Sequence, residues 1–70
     1  MKNTIIIKEK YIEIGKLLKI IGLIQTGGQA KYFLSENEIK INNSTPQGRN
    51  TKVYVGDVVW INNSVYIVKN

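Results

Sequence analysis

The sequence predicts an α+β fold, with two short helices packed on a small, mostly antiparallel sheet of four to five strands. Three observations carry this. Ile14, Leu17, Leu18 and Ile21 recur at i, i+3, i+4 and i+7, the spacing of one buried helix face. From Ile39 onward the apolar residues instead alternate, or run in short β-branched blocks, which suits strands. The order strand, helix, helix and then several strands segregates the helices to one side of the sheet.

Each element has its own signal. Thr4 to Lys8 is β-branched and reads as a first strand. A helix follows from Glu13 to Ile21, with Lys16 and Lys19 off the apolar stripe and Gly22 as its stop. Gln29 to Leu34 makes about two turns with Ala30, Phe33 and Leu34 on one side. Ser35 to Glu38 reads as a polar turn in which Asn37 can take a left-handed backbone. Ile39-Lys40-Ile41 alternates like a strand with Lys40 outward. Asn42 to Asn50 is the most loop-like stretch and holds the only Pro and the only Arg. Val53 to Val55 reads as a strand, Gly56-Asp57 as a turn, and Asn62-Asn63-Ser64 as the tip of a hairpin joining Val58–Ile61 to Val65–Val68. With no linker and no repeat, residues 1–70 are expected to form one domain.

Composition narrows the function. The chain has 70 residues, no Cys and no His, which removes disulfides, thiol and imidazole catalysis, and Cys/His metal sites. A small domain without disulfides fits a reducing cytoplasm. The run from Ile12 to Ile24 is too short, and too interrupted by Lys16 and Lys19, to span a bilayer. Ten basic residues against five acidic ones leave a net charge of +5, which points to a polyanionic partner. The acids Glu9, Glu13, Glu36, Glu38 and Asp57 have no His or Cys to work with, and Glu36, Glu38 and Asp57 read as turn residues. Gly22 and Gly27 have the separation of a phosphate loop, but Gly28 stands where that loop needs Lys. No catalytic site, metal, cofactor or small-molecule substrate is expected.

What remains is a cluster: Lys16, Lys19, Thr26, Gly27, Gly28, Gln29, Lys31 and Lys40. A helix start offers free N–H groups and a partial positive charge. Glycines there let a phosphate approach the backbone, Thr26 can cap the helix or donate to phosphate, and Lys31 adds a full charge one turn in. Tyr32 offers a ring for an unpaired base. Arg49 and Lys52 extend the set through a loop, Asn42 to Lys52, whose composition suits ordering on binding. A plain corner between two helices is the competing reading of Gly27-Gly28.

The span from Glu13 to Ile61 resembles the S-four RNA-binding domain, or alpha-L motif, and is similar to its small, single-domain bacterial YaaA-type members. Ile14, Lys16 and Leu18 match the family's Arg-Leu-Asp-Lys-x-Leu helix. Thr26, Ala30, Lys31 and Leu34 match its Ser-Arg-Ser-x-Ala-Lys helix, Ile39, Ile41 and Asn42 its Val-x-Val-Asn strand, and Gly56-Asp57 its last turn. Departures stand at Glu13 and Gly27, where the family carries Arg, at Gly15, where it carries Asp, and at Asn37 and Asn43, where it carries Gly, a replacement that Asn can make at a left-handed position. The resemblance implies a non-catalytic protein that grips structured RNA, with ribosomal RNA and the ribosome as candidates, through backbone and shape. Its expected contacts are Lys16, Lys19, Thr26, Gly27, Gly28, Gln29, Lys31, Tyr32, Lys40, Asn42, Arg49 and Lys52. The alternative is a protein adaptor in ribosome assembly or replication, using Tyr54, Trp60 and Tyr66, which otherwise read as core.

Overall fold

A computed structural model describes residues 2–70. Its elements are β1 (Lys2–Ile6), β2 (Tyr11–Glu13), α1 (Ile14–Ile20), α2 (Gly27–Glu36), β3 (Ile39–Ile41), β4 (Lys52–Tyr54), β5 (Val58–Ile61) and β6 (Ser64–Lys69). The four-stranded sheet has the order β1-β6-β5-β3, and β2 and β4 pair as a separate ribbon. The β3–β5, β5–β6 and β2–β4 pairings are antiparallel, whereas β1 adds to β6 in parallel, Thr4 opposite Ile67. The α+β class and the mostly antiparallel sheet stand as read from the sequence.

α1 forms where its stripe predicts. Ile14, Leu17 and Leu18 are fully buried and Ile21 packs partly against them, while Lys16 and Lys19 face water. The helix stops in a Schellman motif: Leu23 N–H donates to Leu18 C=O at 3.0 Å and Gly22 N–H to Lys19 C=O at 3.1 Å. That closure needs a left-handed residue, and Gly22 supplies it at φ 84°. α2 is attached more thinly. Only Ala30 is fully buried, with Phe33 and Leu34 partly so.

One core joins both sheets to α1. Ile5, Ile7, Ile12, Ile24, Ile39, Ile41, Val53, Val59, Ile61 and Val68 pack with the α1 stripe. Strand alternation sends their neighbours outward. The core reading of the aromatics therefore holds for Tyr66 alone, since the register leaves Tyr54 and Trp60 exposed.

Several boundaries differ from the sequence reading. β1 lies two residues earlier than Thr4–Lys8, and β2 has no counterpart in it. α2 begins at Gly27 and runs through Ser35 and Glu36, which are helix rather than turn. Asn37 is extended, at φ −129°, and closes the helix without a left-handed residue: its backbone N–H and its Nδ2 both donate to Phe33 C=O at 3.1 Å. Asn43 is not left-handed either. The left-handed residues are Asn42 (φ 58°) and Asn62 (φ 54°). Both are the first asparagine of the same tetrapeptide, Ile-Asn-Asn-Ser, at 41–44 and 61–64. In each copy the Ile and Ser pair across a two-residue turn, so the turn assigns the strained position to its first member.

Candidate nucleic-acid interface

Arg49 is the centre of the helix side. Its loop, expected to be loose, is tied at several points. Thr51 Oγ1 accepts from the N–H groups of Gln47 and Gly48, both at 3.1 Å, and Thr51 C=O accepts from Ile14 N–H at 2.8 Å. Arg49 C=O accepts from Gly15 N–H at 2.9 Å, seating the loop on the first turn of α1. Gly15 is buried, and a Cβ there would meet Arg49 C=O at 3.1 Å and Arg49 Cβ at 3.3 Å. The absence of a side chain at 15 is what lets the loop lie this close.

From that seat the Arg49 side chain reaches the start of α2. A Cβ on Gly27 would stand 3.4 Å from Arg49 Nη1. The space beside the missing side chain at 27 is thus taken by a guanidinium delivered from the loop. Two grooves meet at Arg49. One, of about 710 Å³, is lined by Gly28, Lys31, Leu34, Pro46 and Gly48; the other, of about 210 Å³, by Glu13, Lys16, Lys19, Gly27 and Asn50. Four cations therefore border two adjoining grooves that share Arg49 beside the positive end of α2, with Glu13 the acid among their lining residues.

At that helix start, Gln29 is committed to the fold. Its Oε1 accepts from the N–H groups of Gln25 at 2.6 Å and Thr26 at 3.2 Å, the returning half of a capping box. Gln29 N–H turns to Thr26 C=O at 3.1 Å, whereas Gly27 and Gly28, the first two residues of the helix, have no helical carbonyl four residues before them and so no intrahelical acceptor.

The other expected contacts lie apart. Tyr32 is 69% exposed, but it lines a different depression with Leu23, Phe33 and Glu36. Lys40 donates to Thr45 Oγ1 at 3.3 Å and borders the outer face of the sheet with Trp60. Asn42 is held by the fold: its Oδ1 accepts from Val58 N–H at 3.1 Å and its Nδ2 donates to Asp57 Oδ1 at 3.2 Å. Lys52 stands opposite Glu13 in the ribbon, at the rim of the smaller groove, with Nζ 4.8 Å from the centre of the Tyr11 ring. Sequence reasoning missed Tyr11 and the seating role of Gly15. The first had no strand signal longer than three residues, and the second depends on a contact made far along the chain.

Among the described residues, no helix is long and apolar enough to cross a membrane, and no group of three His, Cys, Asp or Glu side chains could hold a metal.

A family model described as the S4 domain matches residues 5–69, which includes the end of β1, all of β6 and every cation of the interface. The chain is 48% identical over 61 residues to the "Probable ribosome maturation protein RlbA" of Bacillus subtilis (strain 168), covering 87% of this chain and 86% of that one. It is 29% identical over 62 residues to the "Putative RNA-binding protein YbcJ" of Escherichia coli (strain K12), covering 87% and 89%.

Proposed function

The chain belongs to the S4 domain family, and we propose from that premise that it is a non-catalytic RNA-binding protein. It acts as a single domain in the cytoplasm and contacts structured RNA, with ribosomal RNA as the target. The names of its relatives in ribosome maturation and RNA binding support this. The observation that carries it is the Arg49 guanidinium set against the start of α2. A cation at the positive end of a helix, beside Lys16, Lys19 and Lys31, is repelled by the helix dipole and by each of those lysines, with Glu13 the one acid lining the groove to offset them. A phosphate between them reverses the sign of each interaction and accepts charge-assisted hydrogen bonds from the guanidinium and the Gly27 and Gly28 amides.

Recognition of this kind reads backbone and shape rather than base sequence. If about four to six phosphates are neutralised, log affinity falls with log salt at a slope of roughly −3 to −5. Titrating the protein with a structured ribosomal RNA fragment at several salt concentrations measures that slope. Absence of binding at low salt, or binding indifferent to salt, removes the proposal.

A second reading is favoured by one observation. Trp60 is 44% and Ile6 66% exposed on the outer face of the sheet, away from the Arg49 grooves. An adaptor that holds RNA on one side and a ribosome-assembly protein on the other uses both faces. Co-purification of a protein that survives nuclease treatment and is lost in Trp60→Ala supports it.

A further inference from the structure

The β2–β4 ribbon carries a feature that phosphate binding does not use. Its register sets Tyr11 opposite Tyr54, Ile12 opposite Val53 and Glu13 opposite Lys52. Ile12 and Val53 are buried, so alternation puts the two tyrosines, Glu13 and Lys52 together on the opposite face. The ring centroids are 5.7 Å apart at 52°, and Lys52 Nζ sits over Tyr11. Tyr11 is thereby gripped between a neighbour's ring and an ammonium, yet it stays 39% exposed and Tyr54 49%.

A cross-strand aromatic pair can simply stabilise a ribbon. Here the ribbon is already anchored from its other face by Ile12 and Val53. The rings lie in line with the phosphate region as well. Two residues along the ribbon, roughly 7 Å, bring Tyr11 to Glu13, which lines the groove of Lys16, Lys19 and Arg49. Lys10 precedes Tyr11 and faces water. Exposed rings interleaved with lysines at the end of a cationic groove are the composition of a single-strand stacking site.

We propose that Tyr54, backed by Tyr11 and Lys52, is a stacking platform for one unpaired nucleobase at the edge of the RNA footprint. The site accepts any base, since every base presents a π-face. It rests on the RNA-binding reading above and extends that reading to single-stranded flanks. The ligand is RNA rather than an apolar peptide because Lys52 lies over Tyr11 and Lys10 stands beside it, while two acids nearby are already engaged: Glu13 lies opposite Lys52, and the Asp57 carboxylate accepts from Tyr54 N–H at 2.9 Å and Asn42 Nδ2 at 3.2 Å.

The test uses two probes: a blunt RNA duplex, and the same duplex with a short single-stranded overhang containing 2-aminopurine. Tyr54→Leu keeps an apolar side chain but removes the ring. It is expected to weaken overhang binding roughly 5- to 100-fold, to leave the blunt duplex within about twofold, and to abolish the quenching of 2-aminopurine seen with the unmodified protein. Tyr54→Phe should behave as the unmodified protein on both probes. Equal losses on both probes, or none on either, overturn the platform. So does binding of the overhang probe by the unmodified protein without quenching, a result independent of whether the Leu variant folds. If the unmodified protein binds neither probe at low salt, the RNA-binding reading fails, and the platform with it.

Discussion

On the helix side, cations from three separated stretches of chain converge: Lys16 and Lys19 from α1, Lys31 from α2 and Arg49 from the loop. On the outer side of the four-stranded sheet, regular pairing lines up a mostly apolar surface. Lys40, Trp60 and Val65 lie across one row, and Val58, Ile67 and Thr4 across the next. The first surface is irregular, polar and dependent on two positions that lack side chains. The second follows from strand alternation alone. The contrast separates two ways of making a surface. Backbone pairing places residues wholesale, whereas a site for a multiply charged partner needs like charges held together against their repulsion. The fold does this by spending its hydrogen bonds on the loop backbone, at Gly15, Gln47, Gly48 and Thr51.

Five variants probe this contrast. Leu17→Ala attacks what both faces share, the core. It is expected to cost about 2–5 kcal/mol, a large part of the stability of so small a domain, and to lower the urea midpoint and both surfaces' binding together. Arg49→Ala separates the faces. Loss of a charge-assisted contact of about 1.5–3 kcal/mol should weaken RNA about 10- to 100-fold and reduce the magnitude of the salt slope by about one. Trp60→Ala should change neither by more than about twofold.

Gly15→Ala asks whether the loop seat matters. A methyl there meets the Arg49 backbone at 3.1 Å, so the loop must move by a few tenths of an ångström. Overpacking of this kind costs about 1–3 kcal/mol, and RNA affinity should fall in the direction of Arg49→Ala. Unchanged affinity with unchanged melting temperature would show that the loop is not held where its hydrogen bonds place it. Gly27→Arg is expected to have only a small effect. Its new side chain competes with Arg49 Nη1 for the same space, so affinity should stay within about threefold, on the order of 0.6 kcal/mol. A gain of tenfold or more would mean that the site lacked an arginine and that Arg49 does not fill the role.

How far this was legible in the sequence varies element by element. α1 was readable because its buried stripe, its outward lysines and its glycine stop are all local signals. The 61–64 hairpin was readable for the same reason. Its twin at 41–44 read only as loop, since proline, glycine and polar residues follow it and no long strand does. The left-handed asparagines were misplaced by one position or more, because turn geometry rather than composition chooses the strained residue. β2 was invisible: three residues carry too little periodicity, and its pairing with β4 is decided by Ile12 and Val53 reaching the same core. Half of the expected contacts, Lys16, Lys19, Gly27, Gly28, Lys31 and Arg49, are brought together by the fold. Their assembly around Arg49, and the separation of Tyr32, Lys40 and Asn42 from them, were not in the local pattern.

By itself, then, the sequence determined the α+β class, the excess of cations, the absence of thiol and imidazole chemistry, and which lysines face water. These follow from composition and from periods of two and 3.6 residues, which act over one or two turns. Only the tertiary structure decided that Arg49 occupies the space above Gly27, that Gly15 is bare so a loop can sit on it, and that Tyr54 and Trp60 face outward on different sheets. Each of those depends on which distant segments share a core, and no local pattern encodes that pairing.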